Sequence, residues 1–167
     1  SGGSGNGAFT LSSIIGEGYT SSAATGINQD LGSSDNFGVA VSLDGNRLAV
    51  GAPYGDGSSN NRSSSGDVYL YTFTDSVFSG GELAGTIGHG YSGGNNINQS
   101  LDTSDYFGWE VSLDGNRLAV GARYGDGYNN RTNSGDVYLY TFSNSTFSGG
   151  ALAANIGHGY SGGKNIN

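Results

Sequence analysis

The sequence predicts an all-β chain of tandem four-stranded sheets, on three observations. Residues 37–57, FGVAVSLDGNRLAVGAPYGDG, return seventy residues later as FGWEVSLDGNRLAVGARYGDG at 107–127. Within each copy apolar residues alternate at the two-residue period of a strand, and no window shows a helical period. The 33 glycines fall at turns between apolar runs, with no three-residue period and only one proline in the chain. That distribution excludes collagen and a proline-rich linker.

The first strand of a unit is read from Phe37, Val39, Val41 and Leu43, which alternate with Gly38, Ala40 and Ser42. Asp44-Gly45-Asn46 then supplies a tight turn, because glycine tolerates positive φ. RLAVGA at 47–52 is the second strand, DVYLYTF at 67–73 the third and ELAGTI at 82–87 the fourth. In the third strand Val68, Leu70 and Thr72 face one way, Tyr69, Tyr71 and Phe73 the other. A sheet with one wet face alternates apolar with polar. Here both faces want cover, as when small sheets stack face to face in a propeller or an array.

The offset between copies is 70 from Phe37 to Phe107 and 69 from Gly66 to Gly135, so one residue is lost in the polar loop GDGSSNNRSSSGD. The marker IGEGY at 15–19 recurs as IGHGY at 87–91 and at 156–160. Residues 8–15 align with the closing segment at 80–87, and 157–167 with the opening segment at 88–98. The expected organisation is a closing segment at 1–15, blade-like repeats at 16–87 and 88–156, and an opening segment at 157–167. The chain starts at Ser1 rather than Met, which reads as processed or excised from something longer.

Composition narrows the function classes. Net charge is −8, with 14 acidic residues against five Arg and Lys164. No basic cluster exists to neutralise a phosphate backbone, so nucleic acid is not an expected partner. Charged residues are 12% of the chain, with Ser, Thr, Asn and Gly supplying most of the polarity, which points to an extracellular or cell-surface protein. Cysteine is absent, excluding disulfides, thiolate metal sites and a thiol nucleophile. No apolar run approaches the length of a membrane span.

The paired stretches FGVAVSLDGNRLAVGAPYGDG and SGDVYLYTF, with their second copies, resemble the FG-GAP repeat, the blade unit of integrin-α-type β-propellers and of many bacterial surface proteins. The resemblance rests on the Phe-Gly start, the VGAP core and the Gly-x-Val-Tyr-x-Tyr closing strand. It implies blade architecture and no particular activity. Such blades often bind calcium through an Asp-x-Asp-x-Asp-Gly loop between the first two strands. Here that place holds only SLDGN, with one carboxylate, Asp44 or Asp114. Propellers close with four to eight blades, and two cannot close alone.

Candidate sites are few. Asp56 with Asp67, and Asp126 with Asp136, are the best place for calcium, which takes six to eight oxygens; the ordinary alternative is that GDG is a turn and SGD the start of a strand. No cofactor is otherwise expected. Asp35 and Asp105, before the Phe-Gly strands, read as turn caps. His89 and His158 repeat in register, but the position holds Glu17 in the first copy, and no companion ligands lie at metal spacing. No nucleophile elbow appears, and an enzyme is not expected. Sequons at Asn61, Asn98, Asn130 and Asn144 are glycosylation candidates, in a number that composition alone accounts for. The copies differ at Val39/Trp109, Ala40/Glu110, Pro53/Arg123 and Ser58/Tyr128; Arg123, Tyr124 and Tyr128 form a candidate ligand patch for sugars, with a packed interface as the more economical reading.

The expected function is that of an extracellular structural protein whose units join head to tail with further copies into a filament or fibre, by blade packing and strand complementation. Its partner is then itself. The alternative is a piece of a cell-surface adhesin whose propeller binds glycans or proteins.

Overall fold

The computed structural model describes residues 10–19, 26–128 and 130–167. Every regular element among them is a strand, and no helix is long and apolar enough to cross a membrane. Most of the 1–15 closing segment lies outside the described residues, as do residues 20–25 of the first repeat.

The first full sheet orders β3 (Ala40–Asp44), β4 (Arg47–Ala52), β5 (Asp67–Thr72), β6 (Glu82–Gly88) and β7 (Ile97–Asn98). Its first four strands are an antiparallel meander. Gly45 supplies the β3–β4 turn at φ +56°, a conformation that costs other residues a Cβ clash. The second sheet holds β8 (Phe107–Asp114), β9 (Arg117–Ala122), β10 (Asp136–Thr141) and β11 (Ala151–Gly157) in the same order. Both sheets bulge at the same place in the third strand, between Leu70 and Tyr71 and between Leu139 and Tyr140, and the second sheet bulges again between Phe107 and Glu110. The four strands per blade agree with the alternation in the sequence, except that β3 begins at Ala40, three residues after Phe37.

A fifth strand was not legible from alternation. After β6 the chain doubles back, and β7 pairs parallel with it through Ile87 and Ile97. The same parallel pair occurs between β1 (Ile14–Gly16) and β2 (Gly26–Asn28), in register Ile15 with Ile27. It recurs as a bridge between Ile156 and Ile166. In all three an Asn side chain locks the return: Asn28, Asn98 and Asn167 Oδ1 accept from Gly18, Gly90 and Gly159 N–H, each at 2.8 Å. Past this strand Gln29 and Gln99 reach forward to the next blade, where their Oε1 atoms accept from the buried hydroxyls of Tyr71 and Tyr140 at 2.6 Å.

Both faces of the first blade's third strand are covered. Val68 and Leu70 are fully buried with Phe107, Leu113, Leu118 and Val120 of the second blade. Tyr69, Tyr71 and Phe73 pack on the other side with Ile15, Ile27, Leu31 and Phe37. The second blade buries Tyr138, Tyr140 and Phe142 but leaves Val137 and Leu139 half-buried. One core thus lies between the blades and a second under the β1–β2 ribbon.

Candidate functional site

The junction between blades is the most specialised place in the fold, and it is built on glycine. Strand β8 crosses β3 and β4 so closely that a methyl group at Gly51 would overlap the Gly108 carbonyl oxygen. A methyl group at Gly66 would overlap the Phe107 carbonyl oxygen. Backbone therefore rests on backbone, a contact only glycine permits. The Phe107 ring turns into its own blade, edge-on to Tyr138 and Tyr140, and Gly108 makes the bend at φ +86°.

Hydrogen bonds fix the register of the junction. Ser104, Tyr106 and Phe107 N–H donate to the carbonyls of Ser63, Ser64 and Ser65 at 2.9, 3.2 and 2.9 Å. Farther along, Leu113 N–H donates to Ser42 Oγ and Gly115 N–H to Asp44 Oδ2, both at 2.9 Å. Arg47, paired with Asp44, is buried beneath the Phe147 ring at 5.5 Å. Its repeat counterpart Arg117, paired with Asp114, has a side chain 74% exposed.

Each half of this junction recurs, open, at one end of the chain. On the first blade Val39, Val41 and Leu43, the counterparts of Trp109, Val111 and Leu113, are 50, 63 and 53% exposed. On the second blade a shallow cavity of about 420 Å³ is lined by Gly121, Ala122, Gly135, Val137, Ile156 and Gly157, among others. Gly121 and Gly135 are the counterparts of Gly51 and Gly66. A Cβ at Gly121 would meet nothing closer than 3.7 Å, so the chain as folded makes no demand for glycine there.

The sequence-predicted carboxylates hold loops. Asp56 Oδ1 accepts from Ser64 N–H at 2.8 Å and Asp126 Oδ1 from Asn133 N–H at 2.7 Å. Asp35 and Asp105 cap turns through Gly32 and Asp102 N–H, both at 2.7 Å. Asp67 is 2% exposed and lies between Gly55 and Gly88, where side chains would collide with its carboxylate. Its Oδ2 accepts from the Tyr91 hydroxyl at 3.4 Å. Asp136 lies likewise between Gly125 and Gly157, its Oδ2 accepting from Gly127 N–H at 3.1 Å. Among the described residues no three His, Asp or Glu side chains gather as a metal cluster. Burial pushes Asp67 up to about 7, against the Gly57 N–H and helped by Asp35 and Asp56. Burial likewise pushes Asp105 up to about 6 and raises Asp35 and Asp136.

Two of the three patch residues come together. Arg123 lies over Trp109 at 4.6 Å and over Tyr124 at 5.1 Å. Tyr124 packs edge-on to Tyr106 and Tyr106 to Tyr54, at 5.3 and 4.9 Å. Tyr128 is 71% exposed and pairs instead with Tyr160 at 6.3 Å. Sequence reasoning missed Tyr54 and Tyr106 and noted Trp109 only as a difference between the copies; Tyr54 joins the other two only when the blades stack. The four sequon asparagines are exposed, and so is His158, while His89 is half-buried.

Fold and junction together define a tandem-blade protein of the β-propeller type. The chain belongs to the FG-GAP repeat family, whose model matches residues 24–71 and 101–140, more than half its length. No curated protein matches it.

Two outcomes follow for the folded chain. Gly51→Ala forces backbone apart at the junction and lowers unfolding stability by about 1–3 kcal/mol. Gly121→Ala stays within about 0.5 kcal/mol of wild type, as an open position allows; denaturant melts of the two variants compare them directly. The raised carboxylates bind protons more tightly folded than unfolded, so their contribution to stability is full below the ordinary value of 3.8 and drains as pH rises to about 7. Thermal melts from pH 4 to 8 show that fall, and Asp67→Asn removes on the order of 2 kcal/mol of it.

Proposed function

We propose that the chain is an extracellular structural module that assembles head to tail with further copies of itself. The observation that carries this is the pair of open end faces, which are repeat counterparts of the two sides of the internal blade junction. In that junction Ala49, Val68, Leu70 and Ile87 are buried in the core shared with the second blade, whose strand β8 lies on β3 and β4. The counterparts Ala119, Val137, Leu139 and Ile156 are only half-buried, and the first strand of a second copy has the residues to cover them.

The backbone is already shaped for it. Ser34 and Asn36 hold φ of +74 and +55°, as Ser104 and Tyr106 hold +68 and +54° at the formed junction. Left-handed φ is costly for serine and milder for asparagine, and among the described residues no carbonyl of a neighbouring blade takes up the Ser34, Asn36 or Phe37 N–H. Their repeat-equivalent acceptors are the carbonyls of Thr132, Asn133 and Ser134 of another copy. Covering Val39, Val41 and Leu43 contributes roughly 1 kcal/mol each. Contact between unlike surfaces of identical chains closes a ring or extends a filament, according to the rotation per copy. A low charge density and a polarity made of Ser, Thr, Asn and Gly support an extracellular setting. The rim aromatics already pack against one another, so a glycan-binding adhesin draws less support.

Sedimentation velocity over rising protein concentration tests the reading. Wild type forms species larger than a monomer, and Val41→Asp, at an exposed position, stays monomeric with an unchanged melt. Equal self-association of wild type and Val41→Asp would overturn it.

A further inference from the structure

The end faces cannot simply meet, because the first blade carries its own substitute for a neighbour. The β1–β2 ribbon has the same register as β6–β7 and as Ile156 with Ile166: Ile15 corresponds to Ile87 and Ile156, and Ile27 to Ile97 and Ile166. Ile97 shows where the second residue of this motif goes, its Cδ1 lying beside Gly150 and Phe142 of the following blade. Ile27 fills the matching seat on the first blade, beside Gly81 and Phe73. Ile166 is 55% exposed, and no blade among the described residues packs on it.

A copy docked with the geometry of the internal junction would bring its Ile156 and Ile166 to the seat that Ile15 and Ile27 of the next copy occupy. Only one pair fits. Resting on the head-to-tail reading, we propose that the β1–β2 ribbon is a displaceable plug, exchanged on assembly for the Ile156–Ile166 motif of a second copy. The exchange replaces isoleucine with isoleucine, and the Gly18–Asn28 lock with the Gly159–Asn167 lock. It is close to neutral at the seat, while Val39, Val41 and Leu43 are covered in addition.

Two ties favour the plug. Gln29 Oε1 accepts from the buried Tyr71 hydroxyl at 2.6 Å. Glu17 Oε2 accepts from Leu31 N–H at 2.9 Å, and the counterparts of Glu17 are His89 and His158, neither of which carries a carboxylate. The incoming motif cannot remake that bond, so Glu17 holds the resting chain closed and sets the concentration at which copies join.

Sedimentation velocity on the full chain, with amide hydrogen exchange in the monomeric and associated states, tests the exchange. Glu17→His, which leaves the apolar seat intact, tightens association several-fold. Ile166→Ser weakens it at least tenfold with an unchanged monomer melt. In wild type, amides of 14–16 and 26–29 lose protection on association while 37–43 and 117–122 gain it. If wild type associates and Val41→Asp blocks it, but Glu17→His and Ile166→Ser are neutral and the ribbon stays protected, the head-to-tail reading stands and the exchange is overturned. If neither wild type nor Glu17→His associates at any concentration, the reading and the exchange fall together.

Discussion

The structure depends on the close passage of one blade's first strand over the preceding blade's first and second. Gly51 and Gly66 let the Phe107 and Gly108 carbonyls approach to backbone contact. Those two glycines set the distance at which Val68 and Leu70 meet Phe107, Leu113 and Val120. A larger residue at either would lift β8, open the apolar layer and break the three N–H bonds to Ser63, Ser64 and Ser65. The Phe-Gly step is needed for the same reason: phenylalanine anchors the strand in its own blade, and glycine turns the backbone into the neighbour.

A junction made this way is directional. One side offers a glycine-floored hollow and a strip of carbonyls; the other offers an apolar strand and a row of N–H groups in left-handed turns. Two sides so unlike cannot pair with themselves, so repetition runs in one sense along an axis. On the head-to-tail proposal, the exposed apolar edge at Val41 and the side chain of Arg117, left outside while Arg47 is buried, are the two free halves of this one contact. The raised carboxylates belong to the same economy: Asp67 and Asp136 sit where flanking glycines leave room for a side chain, and their desolvation makes the fold more stable in mild acid than in base.

Much of this was legible in the sequence because it is local. Alternation in DVYLYTF showed two apolar faces, and those faces are covered at Val68 and Leu70 on one side and Tyr69 and Tyr71 on the other. The spacing of RLAVGA and DVYLYTF gave the strand bounds to within a residue. The parallel return strand was not legible, since two or three residues show no period; its signal was the recurrence of Ile-Asn at 27–28, 97–98 and 166–167. The aromatic rim was hidden because Tyr54 is distant in sequence from Tyr106 and Trp109 and meets them only through blade stacking. Asp56 and Asp67 share a loop in the sequence, and in the fold Asp56 caps that loop at Ser64 while Asp67 is buried beside Gly88, near enough for the charge of Asp56 to raise it.

The central claim is that the two end faces are halves of one contact, and mixing two singly blocked chains tests it most directly. Val41→Asp closes the first-blade face, and Gly121→Arg fills the hollow on the second. Native mass spectrometry of each alone, then of an equimolar mixture, reads the result. Each variant keeps one intact face, and the two intact faces are complementary, so the account predicts monomers alone and a 1:1 dimer in the mixture, with nothing larger. A mixture that stays monomeric while wild type associates, or a variant that dimerises alone, would contradict it.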